Sequence, residues 1–137
     1  MFKNFALLLA AITFGFCFYS LYRAKTPVFQ AYADEYEVYL THGSFGNNAL
    51  VVSEDAFGAL TEIRGESCTV SVSYEQVLED FSAAHVFSEQ TDHGENFYAY
   101  SPKIHYKTYI KGKAVNIHYH AGERENRLGT PLIFGGY

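Results

Sequence analysis

Cysteine is scarce in this chain, and the positions of the two copies exclude a good deal. Cys17 lies inside an apolar N-terminal run and Cys68 far downstream, so the downstream part has one thiol, no internal disulfide and no thiolate zinc site. Proline is nearly as scarce, with three copies, and the glycines are scattered at turn-like places, which sets aside a disordered or low-complexity protein. No internal repeat stands out. A basic footprint is missing too: the net charge of −5 argues against nucleic-acid binding. No glycine-rich phosphate loop is present. His42-Gly43-Ser44-Phe45-Gly46 puts a serine near a histidine, but in a hairpin loop rather than on the strand-to-helix turn of a nucleophile elbow.

What the chain does have is apolar and aromatic. Phe and Tyr number twelve each, enough to build a core in a short domain. Residues 5–22 (FALLLAAITFGFCFYSLY) carry no charge, and a helix of that length is near the lower limit for crossing a hydrocarbon core. Phe18, Tyr19 and Tyr22 suit a membrane–water boundary. Lys3 precedes the run and Arg23 and Lys25 follow it, so the flanking charge scarcely selects a direction. A cleaved signal peptide is the competing reading, with Ala31-Tyr32-Ala33 as an A-x-A site near Ala33, though distant from the apolar run. Phe14 and Phe16 stand where a lipoprotein site at Cys17 needs small residues. The expected organisation is a short flank (1–4), a transmembrane anchor or uncleaved signal (5–22), a linker (23–33) and an extracytoplasmic α+β domain (34–137).

In that domain residues 35–40 and 50–53 read as strands joined by the turn-forming stretch 41–48. Ser53 opens a short helix expected to run to residue 60, and Gly65 is expected to end that unit. Residues 68–72 alternate as a half-buried strand. Ser73 then opens the clearest helix, with Gln76 completing a capping box and Tyr74, Val77, Leu78 and Phe81 on one face. Strands follow at 85–89, 97–100, 104–110, 113–120 and 128–134, with turns at Asp92-His93-Gly94 and Lys111-Gly112. Pro131 points to an edge or a bulge. The expected fold is a mainly antiparallel sheet, a meander with one or two helices on one face.

If Lys111-Gly112 is a two-residue turn, Ile110 faces Lys113, Thr108 faces Val115, Tyr106 faces Ile117 and Ile104 faces Tyr119. His105 then meets His118, with His120 alongside, and the three form a candidate metal face. Lys103 and Lys107 would repel a cation there, and the plainer alternative is a solvated polar face. Cys68 points inward on its strand, where a thiol is inert packing. Charge is divided along the chain: thirteen acids lie between residues 34 and 95 against Arg64 alone, and six bases lie between 103 and 127 against two acids. Lys103, Lys107, Lys111 and Lys113 with Tyr98 and Tyr100 form a candidate interaction face, and Tyr109 is a further exposed aromatic.

Tyr100-Ser101-Pro102, Gly112-Lys113 followed by Val115-Asn116-Ile117, and Gly129-Thr130-Pro131-Leu132-Ile133 are the motifs by which the C-terminal half resembles the YwmB family of Gram-positive bacterial proteins. The capping helix at 73–81 before a strand meander looks like one repeat of that family's TATA-box-binding-protein-like fold. The resemblance implies a helix-on-curved-sheet module exported by a Gram-positive cell, with no assigned activity. The present chain is shorter, and its acid excess and anchor argue against carrying DNA binding over.

The function expected from all this is a non-catalytic binding or assembly module, single-pass in the cell membrane through residues 5–22, with no cofactor. Its partners would be an envelope protein, an anionic wall polymer or lipid headgroups, or a second copy. The alternative is a small hydrolase or metal-dependent enzyme using His105, His118 and His120.

Overall fold

The computed structural model describes residues 2–24, 26–40, 50–58, 60 and 63–134, with the side chains at 20–24, 54 and 55 left aside. Helix α1 (Phe2–Ala24) has apolar residues all round rather than on one stripe, the pattern of a helix solvated by lipid. Its window Phe2–Tyr19 has a mean hydropathy of 1.6, and none of it is buried against the rest of the protein.

Residues 26–34 are not a free linker. Phe29 is fully buried, edge-on to Phe81 with ring centroids 5.5 Å apart, and the Tyr32 hydroxyl donates to Asp80 at 2.5 Å. This strap leads into β1 (Glu35–Leu40), which pairs antiparallel with β2 (Leu50–Ser53), the expected hairpin. The expected turn at 41–48, with His42 and Ser44, lies outside the described residues. Helix α2 (Glu54–Phe57) starts where expected but stops short of residue 60, with the poor helix former Gly58 at its C-cap, and the Ser53 side chain makes no capping bond. Strand β3 (Ile63–Val70) starts earlier than expected and contains Gly65, which faces Tyr39 of β1 instead of ending the unit. Helix α3 (Tyr74–Asp80) forms where expected: the Ser73 hydroxyl accepts from Gln76 N at 3.2 Å, and Tyr74 and Val77 turn inward.

The remaining strands are β4 (Ala84–Thr91), β5 (Gly94–Tyr100), β6 (Thr108–Ile110), β7 (Lys113–Val115), β8 (Ile117–Gly122) and β9 (Asn126–Thr130). Among the described residues one seven-stranded sheet runs β2-β1-β3-β9-β8-β5-β4, antiparallel throughout, and β6-β7 form a separate ribbon. It departs from a plain meander where β3 pairs with β1 rather than with β2, where α3 carries the chain from the centre of the sheet to its edge, and where β9 returns beside β3. Strand β9 is therefore central, not an edge. Pro131 follows its last residue, where a missing N–H removes no ladder bond.

The Lys111-Gly112 turn is as expected, with φ of 51° and 76°, and Ile110 faces Lys113 and Thr108 faces Val115. Beyond Val115 the expected register fails. The fully buried Asn116 accepts from Ser101 N at 2.7 Å and donates to Ser101 O and Ile104 O at 2.7 and 3.2 Å. Its amide thus takes up backbone groups that a partner strand would otherwise satisfy. Strand β8 pairs with β5 and β9 instead, so Tyr106 does not face Ile117, Ile104 does not face Tyr119, and His105 does not meet His118.

One sheet face packs Tyr36, Val38, Cys68, Val70, Ile117, Tyr119 and Leu128 with Phe29, Tyr74 and Val77 as the core. Residues 131–134 fold back over the other face. A methyl at Gly129 would lie 2.8 Å from the Ile133 side chain and 2.9 Å from backbone atoms, and one at Gly65 2.6 Å from Thr130 O and 2.9 Å from the Phe134 ring. Gly129→Ala is accordingly expected to destabilise the protein by about 1–3 kcal/mol in urea denaturation, through overpacking under this tail. Gly58→Ala, in open space at helical φ, is the control and is expected to be neutral or slightly stabilising.

Candidate functional site

The tail-covered face is polar, and sheet register builds it. Phe87, Tyr98, His118, Gly129, Ser67 and Glu37 stand in one row across six strands, and Glu89, Asn96, His120, Arg127 and Thr69 in the next. Phe87 stacks on Tyr98 at 4.4 Å between centroids and Tyr98 on His118 at 4.6 Å, with interplanar angles of 20° and 24°.

Hydrogen bonds assign the imidazole tautomers. Ile133 N donates to His118 Nδ1 at 3.1 Å, so Nε2 carries the proton and donates to Asn96 Oδ1 at 3.0 Å. His120 Nδ1 donates to the same oxygen at 2.8 Å. Asn96 Nδ2 and the Tyr98 hydroxyl both donate to Glu89 Oε1, at 3.4 and 2.8 Å. Further along, Arg127 reaches Glu37 Oε2 at 2.6 Å and Ser67 Oγ at 3.1 Å, and the Tyr39 hydroxyl donates to Glu37 at 3.3 Å. Burial, with His120 as a like neighbour, pushes His118 down to about 4, and burial also lowers His120. Both rings are therefore neutral near pH 7.

Two clefts flank Arg127. One of about 530 Å³ lies between the β4–β5 and β8–β9 turns, against His93, His120, Arg124, Glu125 and Arg127. The other, about 580 Å³, is lined by Tyr36, Glu37, Val51, Ser67 and Thr69 among others. Neither presents a nucleophile with a base: the Ser67 hydroxyl is held by Arg127 and Tyr39, and burial pushes the Cys68 thiol up to about 12.

Of the three histidines singled out from sequence, His118 and His120 share Asn96, while His105 lies exposed with its ring 4.0 Å from that of Tyr106. Among the described residues no group of three His, Cys, Asp or Glu is placed to hold a metal ion. Lys103, Lys107, Lys111 and Lys113 are exposed, as an interaction face requires. Tyr98 is buried in the aromatic stack and Tyr100 is half-buried; the exposed aromatic among the lysines is Tyr109.

Glu66 is the residue sequence reasoning missed. It is fully buried on the core face, where Oε1 accepts from Val28 N at 2.5 Å and Phe29 N at 3.2 Å. Its Oε2 and the Oγ1 of Thr130, its cross-strand partner on β9, are buried without a hydrogen-bond partner. Burial pushes its carboxyl up to about 7, against the two N–H groups that favour the anion. The signal was available: extending the inward alternation of Cys68 and Val70 back by two positions puts Glu66 inside.

No protein-family model matches the chain, and comparison with curated proteins and with solved structures returns no match either.

Proposed function

We propose that this protein is a single-pass, membrane-tethered module whose domain lies outside the cytoplasm and binds or organises a component of the cell envelope, without catalysing a reaction. The observation that carries this reading is α1, long and apolar enough to cross a bilayer and unburied by the domain. The exposed interaction residues and the polarised charge give such a module something to bind with. The resemblance of the C-terminal half to YwmB-family proteins agrees with export from a Gram-positive cell and belongs to the same proposal. The enzymatic alternative needs three imidazoles on one face, and the two that come together are neutral and turned to Asn96.

Orientation is tested with a cysteine placed on the exposed face of α3, Glu79→Cys. Cys17 sits in the apolar window and Cys68 is a buried thiol, so an impermeant maleimide has little access to either. Labelling in intact cells is the expected result; labelling only after lysis would place the domain in the cytoplasm. Cross-linking from intact membranes that captures no partner or polymer above control would remove the binding role.

A further inference from the structure

We propose that residues 102–113, the β6–β7 ribbon and the loop leading into it, dock on the anionic lipid headgroups of the membrane that holds α1. The proposal rests on the tethered reading and adds a partner to it.

The chain path limits how far the domain can stand off. Helix α1 ends at Ala24, and Val28 is already bonded to Glu66 in the domain core. The intervening residues span about 14 Å at full extension. Whatever surrounds the docked strap is therefore held against the bilayer surface.

The loop before β6 is what surrounds it. The Ser101 hydroxyl donates to Phe81 O at 2.5 Å, and Phe81 packs on both Phe29 and Tyr32 of the strap. Tyr106 lies within electrostatic reach of Glu66, and Lys103 within reach of Asp80, which Tyr32 binds. The ribbon that follows this loop has the sequence Lys107-Thr108-Tyr109-Ile110-Lys111-Gly112-Lys113.

Its chemistry fits an anionic interface. Residues 102–113 hold four lysines and no acid in a chain whose net charge is −5. All four lysines are exposed. Tyr109 is 64% exposed with Lys107 Nζ 5.6 Å above its ring, an aromatic body and polar tip of the kind that settles at headgroup depth. Lys111 Nζ also approaches the Phe87 ring, at 5.4 Å, without being buried. Each lysine close to an anionic leaflet favours the docked state roughly fivefold. The tether favours lipid over a soluble anionic polymer, because it already holds the ribbon at the surface.

The chain contains no tryptophan, so Tyr109→Trp supplies a single tryptophan in the full-length protein, excited selectively over the tyrosines at the red edge of their absorption. The reporter protein is placed in nanodiscs of phosphatidylcholine alone and of phosphatidylcholine with phosphatidylglycerol. The expected result is a blue-shifted emission, quenched by brominated acyl chains, in the anionic discs only. High salt should reverse it, as should Lys107→Gln, Lys111→Gln and Lys113→Gln together. Emission that is the same in both discs, with the protein co-eluting with them, overturns the docking while the anchor stands. A shift produced in neutral discs by soluble polyglycerol phosphate overturns the lipid assignment in favour of a polymer. Failure to co-elute with either disc removes the anchor and the docking together.

Discussion

Glu66→Gln is expected to make the protein more stable than wild type above pH 7, and to expose a loss of stability on acidification that the wild-type carboxyl offsets. The folded carboxyl titrates at about 7, against 4.5 for the unperturbed group. Folding therefore holds that proton, and the stability this contributes is full below pH 4.5, declines as pH rises, and is gone once pH passes about 7. The amount at stake is about 3 kcal/mol. His118 has the opposite sign. Its folded value of about 4 lies below the unperturbed 6.5, so stability is full above pH 6.5 and lost as pH falls towards 4, again by about 3 kcal/mol.

Between pH 4.5 and 6.5 the two slopes oppose each other, and urea denaturation of the wild-type chain should show little change with pH. Glutamine keeps an acceptor for Val28 N and Phe29 N and presents a donor towards Thr130, but it does not titrate. In the variant the histidine slope, from His118 with His120 adding in the same direction, is unopposed, and stability should fall on acidification from pH 6.5. Glu66→Ala, which does not titrate either, differs by leaving the Val28 and Phe29 N–H groups unpaired, and should lie about 2–4 kcal/mol below the glutamine variant at every pH. A glutamine variant less stable than wild type at pH 8, or one with an unchanged pH profile, would contradict a buried protonated carboxyl holding the strap.

The second large effect is expected at Asn96. Its Oδ1 is the common acceptor for His118 and His120, and the side chain is fully buried. Asn96→Leu keeps the branched shape, adds bulk at a buried site and strands two imidazole N–H groups, for an expected loss of about 3 kcal/mol or more. Asn96→Asp should behave differently. A carboxylate still accepts from both rings but favours their charged forms, which raises the pH at which His118 gains its second proton. A protonated Nδ1 cannot accept from Ile133 N, so the tail over the polar face should loosen as pH falls. Hydrogen exchange at the Ile133 amide reads this directly: protection lost at higher pH in Asn96→Asp than in wild type supports the assigned tautomer, and equal protection in both contradicts it.

Features coded by neighbouring residues were legible in the sequence. Helix α3 carried its cap and its apolar face within nine residues, and the β1–β2, β4–β5 and β6–β7 hairpins followed from strand composition and turn chemistry. Features decided by distant contacts were not. The pairing of β3 with β9 joins segments about sixty residues apart and turns Pro131 from an edge marker into a strand terminator. The histidine register was extrapolated through Asn116, where a side chain replaces a strand as the hydrogen-bond partner. Of the candidate site, the exposed lysines were visible as an acid-free run. The Asn96–His118–His120 cluster was hidden, because it depends on β5 lying beside β8. The strap escaped notice because its order comes from Phe29 and from a carboxylate far along the chain.

The claim on which the rest depends is that α1 lives in lipid while the domain folds beside it. Alkaline carbonate extraction of native membranes, followed by mass spectrometry of the chain's N-terminus in each fraction, tests this most directly. The account predicts full-length protein in the membrane pellet with residues 2–24 retained. Full-length protein released to the supernatant with those residues still attached would contradict it.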